Sequence, residues 1–311
     1  MSDLFGVLNI DKPINITSAD VVGKLKKILR VKKIGHGGTL DPMATGVLPI
    51  LVGGATRLME HVTRGKKIYD AEATLGVRTD TLDAHGTVIS RSEIPEGITK
   101  NRIRDVAARW QGVVTQKTPS FSAVKINGRR LYSLARAGCP PEELPTREVT
   151  IHSLDVLEWS PPVLSFRVEC GKGTYIRQLA DDIGAELGCG AHLSSLRRIR
   201  VGCLTIETAI GFETLANKRH EGCINDLVIH PRTILSHLPC ANIAKNDILT
   251  LCHGQSLSVS SLISESGGSL QLKENSNIAV YSEENTLVAI AELKENRIFP
   301  RKVFYKEPNF D

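Results

Sequence analysis

Residues 35–46 read Gly35-His36-Gly37-Gly38-Thr39-Leu40-Asp41-Pro42-Met43-Ala44-Thr45-Gly46, with one carboxylate, Asp41, in the middle. Four glycines and a proline make this a loop that lets backbone pass close to another molecule. Pro42 biases Asp41 away from helical geometry, so its side chain is expected to project from an extended turn. An ordinary aspartate is ionised at neutral pH, which suits it to act as a nucleophile or general base. The competing reading is a turn aspartate that caps nearby N–H groups, and the loop alone weighs the two evenly. An ionised acid in a dry pocket needs a cation. Arg177, early on the helix expected after Gly171-Lys172-Gly173-Thr174, is the choice; spacing equally allows a surface pair between Arg177 and Asp181. That glycine turn lacks Walker spacing, although a helix N-terminus there could hold an anion.

Tyr69 lies between Lys67 and Asp70 near the start of a strand. It reads either as a core tyrosine with its hydroxyl outward or as a platform for an extruded base. His36 reads as a satisfied loop histidine or an exposed wedge, and Lys12 before Pro13 is a weak signal alone. The seven cysteines include no Cys-x-x-Cys, which fits a reducing compartment. Cys189-Gly190-Ala191-His192 has metal-like spacing but no second pair, so it is read as structural and no metal is expected.

Several elements must position these groups. Val7 to Ile10 reads as a strand ended by Lys12-Pro13, and Thr17 or Ser18 can cap a helix running to about Arg30. Further strands are expected over Val47 to Val52, Tyr69 to Leu75, about 147–158 and 163–170, with helices near 56–62, 98–110 and 175–187. Asn127-Gly128 is a hairpin signal, followed by a basic helical stretch from Arg129 to Ala137. This mixture predicts an α+β fold. Beyond about residue 235, serines and asparagines cluster from 256 to 277 with apolar runs at Ile278 to Tyr281 and Leu287 to Ile290, which predicts a small all-β module joined through a linker near 230–238.

Charge is uneven. The net charge is +5 overall, +6 over residues 1–67, +8 over residues 100–136 and −2 over residues 236–311. Two basic zones suit a phosphate backbone, against the plainer reading of a solvated charged face. Met1 to Ile10 has no signal-peptide pattern and the apolar run Val47 to Ala55 is too short and broken to cross a membrane, so a cytoplasmic location is expected.

Seven ordered motifs over the first 200 residues resemble the TruB family of pseudouridine synthases. The loop from Gly35 through Asp41 to Pro49 resembles its catalytic motif, and Leu8-Asn9-Ile10-Asp11-Lys12-Pro13 its N-terminal motif. Lys67-Ile68-Tyr69-Asp70, Gly76 to Asp83, Pro119 to Tyr132, Gly171 to Arg177 and Gly188 to Leu193 with Leu196-Arg197-Arg198 are similar to further segments. The resemblance implies a largely antiparallel synthase sheet flanked by helices and loops in residues 1–235, a basic arm at about 100–145, and a PUA-like RNA-binding domain in residues 236–311. It implies conversion of the T-loop uridine of tRNA, conventionally uridine-55, to pseudouridine after base flipping, without a cofactor. Asp41 would be the essential carboxylate, attacking either base or sugar. Arg177 would pair with it, and Tyr69 would stack on the base and help remove the C5 proton. His36 would enter the T-loop, Leu196 would lie beneath the uracil and Lys12 would brace the loop, with Lys67, Arg129 and Arg130 also on the substrate side. The partner would be the T-arm of tRNA, and the chain would work as a monomer with no obligate protein partner. A guide-RNA-dependent synthase acting on ribosomal RNA, a tRNA-folding chaperone role and a non-catalytic RNA-binding protein are the alternatives. The arm favours the stand-alone bacterial type over the guide-dependent one.

Overall fold

The computed structural model describes residues 4–139, 141–264 and 272–305. Its larger sheet is organised around Lys67–Leu75, which alternates strictly: Lys67, Tyr69, Ala71, Ala73 and Leu75 are buried and the residues between them are not. Leu193 and Leu196 of the neighbouring strand Ala191–Val201 lie opposite Ala73 and Ala71, so bulk on one strand meets small side chains on the other. The order across the sheet is Gly6–Lys12, Thr45–Val52, Ala191–Val201, Lys67–Leu75, Val163–Cys170, Thr146–Ser160 and Gly112–Lys117, with Ile34–His36 and Leu204–Thr205 as side pairs. Thr45–Val52 runs parallel to Ala191–Val201, and the other pairings in this sheet are antiparallel. The α+β expectation is therefore met, with a mixed, largely antiparallel sheet.

The helix Ser18–Leu29 begins where Thr17 and Asp20 form a reciprocal capping box and ends at left-handed Arg30. It buries Val21, Leu25 and Leu29 and leaves its lysines outside. The helix Ile176–Glu186 packs on Ala191–Val201 and, unlike the first, is buried along most of its length.

Four expectations are corrected. The basic stretch 100–145 is not one arm. Lys100–Arg109 is a helix that buries Ile103, Val106 and Ala107, packs on Thr146–Ser160 and pairs Arg109 with Glu186. Of this stretch only the described residues 118–139 and 141–145 leave the sheet, and their neck is closed by the Thr118 N–H donating to Pro145 O at 2.9 Å. Within this arm Arg129 and Arg130 belong to a hairpin strand, because Asn127 and Gly128 both take left-handed conformations and pair Ile126 with Arg129 and Lys125 with Arg130. The helix begins only at Leu131.

The expected linker near 230–238 is packed structure. Pro231–Ile234 is a short helix, and Ile234 and Leu235 are buried in an apolar cluster with Val7, Val47 and Leu51 of the larger sheet and Tyr281, Leu287 and Ile290 of a second sheet. That second sheet has six strands: Leu257–Ser258, Arg297–Val303, Leu287–Lys294, Asn277–Ser282, Cys240–Ile243 and Leu262–Ile263, in that order. It is β-rich but not all-β, because the helix Lys245–Cys252 buries Ile248 and Leu251 in its core. Among the described residues, no helix is long and apolar enough to cross a membrane.

Candidate active site

The register of three strands brings the site together. Gly46 pairs with Arg198, Arg198 pairs with Tyr69, and Leu196 pairs with Ala71. The glycine loop enters this sheet at Thr45, so Asp41 stands just outside the strand ends. Gly46 cannot be replaced without movement: its φ is +100°, and a Cβ would lie 2.2 Å from Arg198 O. Ser18 fixes the loop from the other side, its hydroxyl accepting from Leu40 N–H at 2.9 Å and donating to Leu40 O at 3.1 Å.

Arg177 Nε donates to Asp41 Oδ2 at 2.8 Å. The two partners differ in exposure: the Arg177 side chain is 5% exposed and that of Asp41 36%. The carboxylate therefore faces a visitor while its cation stays inside. Arg177 Nη1 donates to Thr81 O at 2.8 Å and Nη2 to Phe121 O at 3.0 Å, so the guanidinium is held on three sides. A second carboxylate, Asp83, lies 3.7 Å from Nε. The alternative partner, Asp181, is taken by Arg78 in a two-pronged pair at 2.7 and 3.0 Å.

Lys12 is fully buried, and its ammonium donates to Pro13 O and Ile16 O at 2.8 Å and to Pro42 O at 3.3 Å. It thus binds the carbonyl next to Asp41. Burial lowers its pKa to about 8, with Asp41 pulling it up and Arg198 pushing it down. Tyr69 is buried, and burial raises its phenol above the ordinary range while Arg198 works in the opposite sense. A phenol so held stays protonated at neutral pH; it can stack or donate, and the phenolate needed to remove a C5 proton is disfavoured. His36 is half-buried on the short strand Ile34–His36, with Nδ1 buried and without a hydrogen bond. Burial first, then Arg198, lowers its pKa, which favours the neutral ring. Leu196 is buried near Tyr69 by register.

Lys67 turns inward, donating to Thr63 O at 2.6 Å and Gly65 O at 2.7 Å at the end of the helix Met59–Arg64, and burial lowers its pKa to about 8. Arg129 and Arg130 are exposed on the arm; the Arg130 and Arg136 guanidiniums lie 5.8 and 5.7 Å from the Tyr132 ring centre. The structure joins Asp41, Arg177, Lys12, Tyr69, Leu196 and His36 in one region and leaves the two arm arginines apart. His192 bonds Val77 O at 2.9 Å and Cys189 is buried, which agrees with a structural reading of that pair.

The group not anticipated as part of the site is Arg198. It is 1% exposed, and it donates to Val47 O at 2.7 Å, Gly38 O at 3.0 Å and Thr39 O at 3.4 Å. The signal available was the Leu196-Arg197-Arg198 motif, of which only Leu196 was given a role.

The fold built from these parts is that of pseudouridine synthases. A chain in a box H/ACA ribonucleoprotein bound to a substrate RNA containing 2′-deoxyuridine superposes with a TM-score of 0.72 at 27% identity, over 97% of this chain and 86% of that one. A chain of a Cbf5–Nop10–Gar1 complex gives the same score at 29% identity, over 97% and 85%. Residues 26–176 match the N-terminal domain of TruB family pseudouridylate synthases, and residues 177–231 match the tRNA pseudouridylate synthase B C-terminal domain. A tRNA pseudouridine synthase B from Dehalococcoides mccartyi is 39% identical over 97% of both chains, and one from Burkholderia pseudomallei 38% identical over 96% of this chain and 97% of its own. The chain belongs to the TruB family of pseudouridylate synthases, and its reaction class is that of an isomerase.

Proposed function

We propose that the protein converts the T-loop uridine of tRNA, uridine-55, to pseudouridine, with Asp41 as the catalytic carboxylate. The observation that carries this reading is the open Asp41 carboxylate held against buried Arg177 at the end of a glycine loop. The choice of tRNA is supported by relatives 38–39% identical over nearly the whole chain and named for that substrate. The solved chains from the H/ACA ribonucleoprotein and the Cbf5–Nop10–Gar1 complex are more distant, at 27–29%.

In the reaction the N1–C1′ bond breaks and a C5–C1′ bond forms. C5 loses a proton and N1 gains one, so nothing is oxidised or reduced. Asp41 attacks either C1′, to be displaced when C5 of the rotated base bonds that carbon, or the base, to leave by elimination after the C5–C1′ bond has formed. Tyr69 stacks on the flipped uracil, Leu196 supports it from below, and the flat ring of His36 fills the space the base leaves. Lys12 braces the loop through Pro42 O. Arg129 and Arg130 grip phosphates of the T-arm, which offsets the few kcal/mol of unstacking. Residues 1–235 form the catalytic domain, with 118–145 as its arm. Residues 236–311, with net charge −2, act as a PUA-like RNA-binding module that relies on shape more than charge. The chain works as a cytoplasmic monomer with no obligate protein partner, and the same grip suits it to assist tRNA folding.

The test is incubation with an unmodified tRNA transcript and mapping of pseudouridine by chemical labelling. Wild type should modify the T-loop uridine alone. Asp41→Asn should bind the transcript and leave it unmodified; full turnover by Asp41→Asn overturns the assignment.

A further inference from the structure

Arg177 owes its position to the start of a helix whose N-cap residue, Tyr175, makes no capping bond through its own side chain. That start is held from outside. Gln116, on the sheet-edge strand Gly112–Lys117, is 1% exposed. Its Oε1 accepts from Tyr175 N–H at 2.8 Å and its Nε2 donates to Tyr175 O at 3.0 Å. The amide thus satisfies both backbone groups of a residue two positions before Arg177. Directly opposite Gln116 in the register stands Arg147, whose guanidinium lies 5.5 Å from the Tyr175 ring centre. Gln116 and Arg147 are on the outgoing and returning strands at the neck of the arm, just before Thr118 N–H closes onto Pro145 O. Five residues beyond Gln116, Phe121 O accepts from Arg177 itself. The root of the arm therefore touches the helix start three times, and the last contact is on the group that pairs with Asp41.

We propose that Gln116 is a positioning residue for pseudouridine formation: by clamping the Tyr175 backbone it sets Arg177 against Asp41 and ties the arm's neck to the catalytic pair. This rests on the reading of Asp41 and Arg177 given above. An arm that shifts as RNA docks moves the clamp, and Arg177 with it, so grip and chemistry are linked through one buried amide.

The test uses full-length protein and unmodified tRNA transcript. Gln116→Met keeps the side-chain volume and removes both bonds to Tyr175. Gln116→Glu keeps the acceptor and sets a carboxylate oxygen against Tyr175 O; it carries the same test should the methionine variant not fold. Single-turnover pseudouridine formation should slow by roughly tenfold to a hundredfold, the scale of a misplacement of about 1 Å, with tRNA affinity held within about twofold. The Arg177 Nε–H resonance, assigned by its loss in Arg177→Lys, should shift or broaden in the Gln116 variants without RNA. An unmoved resonance, an unchanged rate, or a rate that falls only in step with affinity overturns the proposal. A wild-type protein that makes no pseudouridine defeats the functional reading instead, and the resonance still reports on the clamp.

Discussion

Arg198→Met offers a worked test of how the catalytic loop is held. The partners of this buried guanidinium are carbonyls: Val47 O and Gly38 O at short range and Thr39 O at 3.4 Å. Methionine keeps much of the length and the apolar contacts and removes every donor. Two close carbonyls lose their bonds, at about 1–3 kcal/mol each, and the long third adds little. Removing a buried charge returns part of this, because an ion inside protein carries a desolvation penalty. The net loss is then about 2–4 kcal/mol. At about 2.1 cal/mol/K per residue, a chain of 311 residues has an unfolding entropy of about 0.65 kcal/mol/K, so 1 kcal/mol moves Tm by about 1.5 °C and a fall of about 3–6 °C is expected by calorimetry. The same charge is one cause of the lowered pKa values of Lys12, His36 and Lys67. In the variant the His36 pKa should rise part of the way back towards 6.5, because its larger cause, burial, remains; the ring's NMR titration measures this. Pseudouridine formation should slow with the loosened loop. An unchanged Tm together with an unmoved His36 titration refutes the reasoning, whatever the rate does.

Arg129→Ala with Arg130→Ala should weaken tRNA binding and reduce the slope of log affinity against log salt by up to about 2, close to one unit for each lost phosphate contact; filter binding across salt concentrations checks it, and an unchanged slope removes the hairpin from the interface. Lys12 gives a pH signature. Its pKa is about 8 in the folded protein, against 10.5 for a lysine in water, so between these values the unfolded chain holds more protons and stability rises with pH. The burial penalty is fully present below pH 8. Wild type should therefore gain on Lys12→Met by up to roughly 3 kcal/mol between pH 7 and pH 10.5; urea unfolding at pH 7 and pH 9.5 measures most of it, and a flat difference contradicts the claim.

Much of the fold was legible because its signals are local. The Thr17–Asp20 capping box, the Asn127-Gly128 turn and the alternation of Lys67–Leu75 each act within a few residues. Ala191–Val201, a central strand, gave no such signal. Its register slips between Leu193 and Ser195 and again between Arg198 and Arg200, which breaks the period of two. One of its most buried residues is an arginine, which a hydrophobic pattern assigns to the surface. The segment 230–238 misled for a related reason: its polar flanks read as a connection, while Ile234 and Leu235 close a seam between two sheets that no local window contains.

The site divides in the same way. Asp41 was legible from its loop, since glycines and proline declare an irregular backbone built for approach. What holds it was only partly legible: Arg177 was expected from its place after the glycine turn and Lys12 from the resemblance, whereas Arg198 and the carbonyls that hold all three were not. Arg177, Arg198 and Lys12 are buried cations, and each donates to backbone carbonyls brought from distant parts of the chain. A carbonyl has no sequence signature, because every residue carries one. Composition therefore counts such cations as surface charge, although here they are the frame. The arrangement has a chemical consequence. Arg198 and Lys12, bonded to neutral carbonyls, keep more of their charge for the cleft than cations spent on carboxylates of their own. Asp41 is thus surrounded by fixed positive charge that needs no rearrangement when an electron-rich uracil and its phosphates arrive, which is how preorganised dipoles and charges lower a barrier. The burial that hid Arg198 from the sequence also holds it, with Arg177 and Lys12, in place for this.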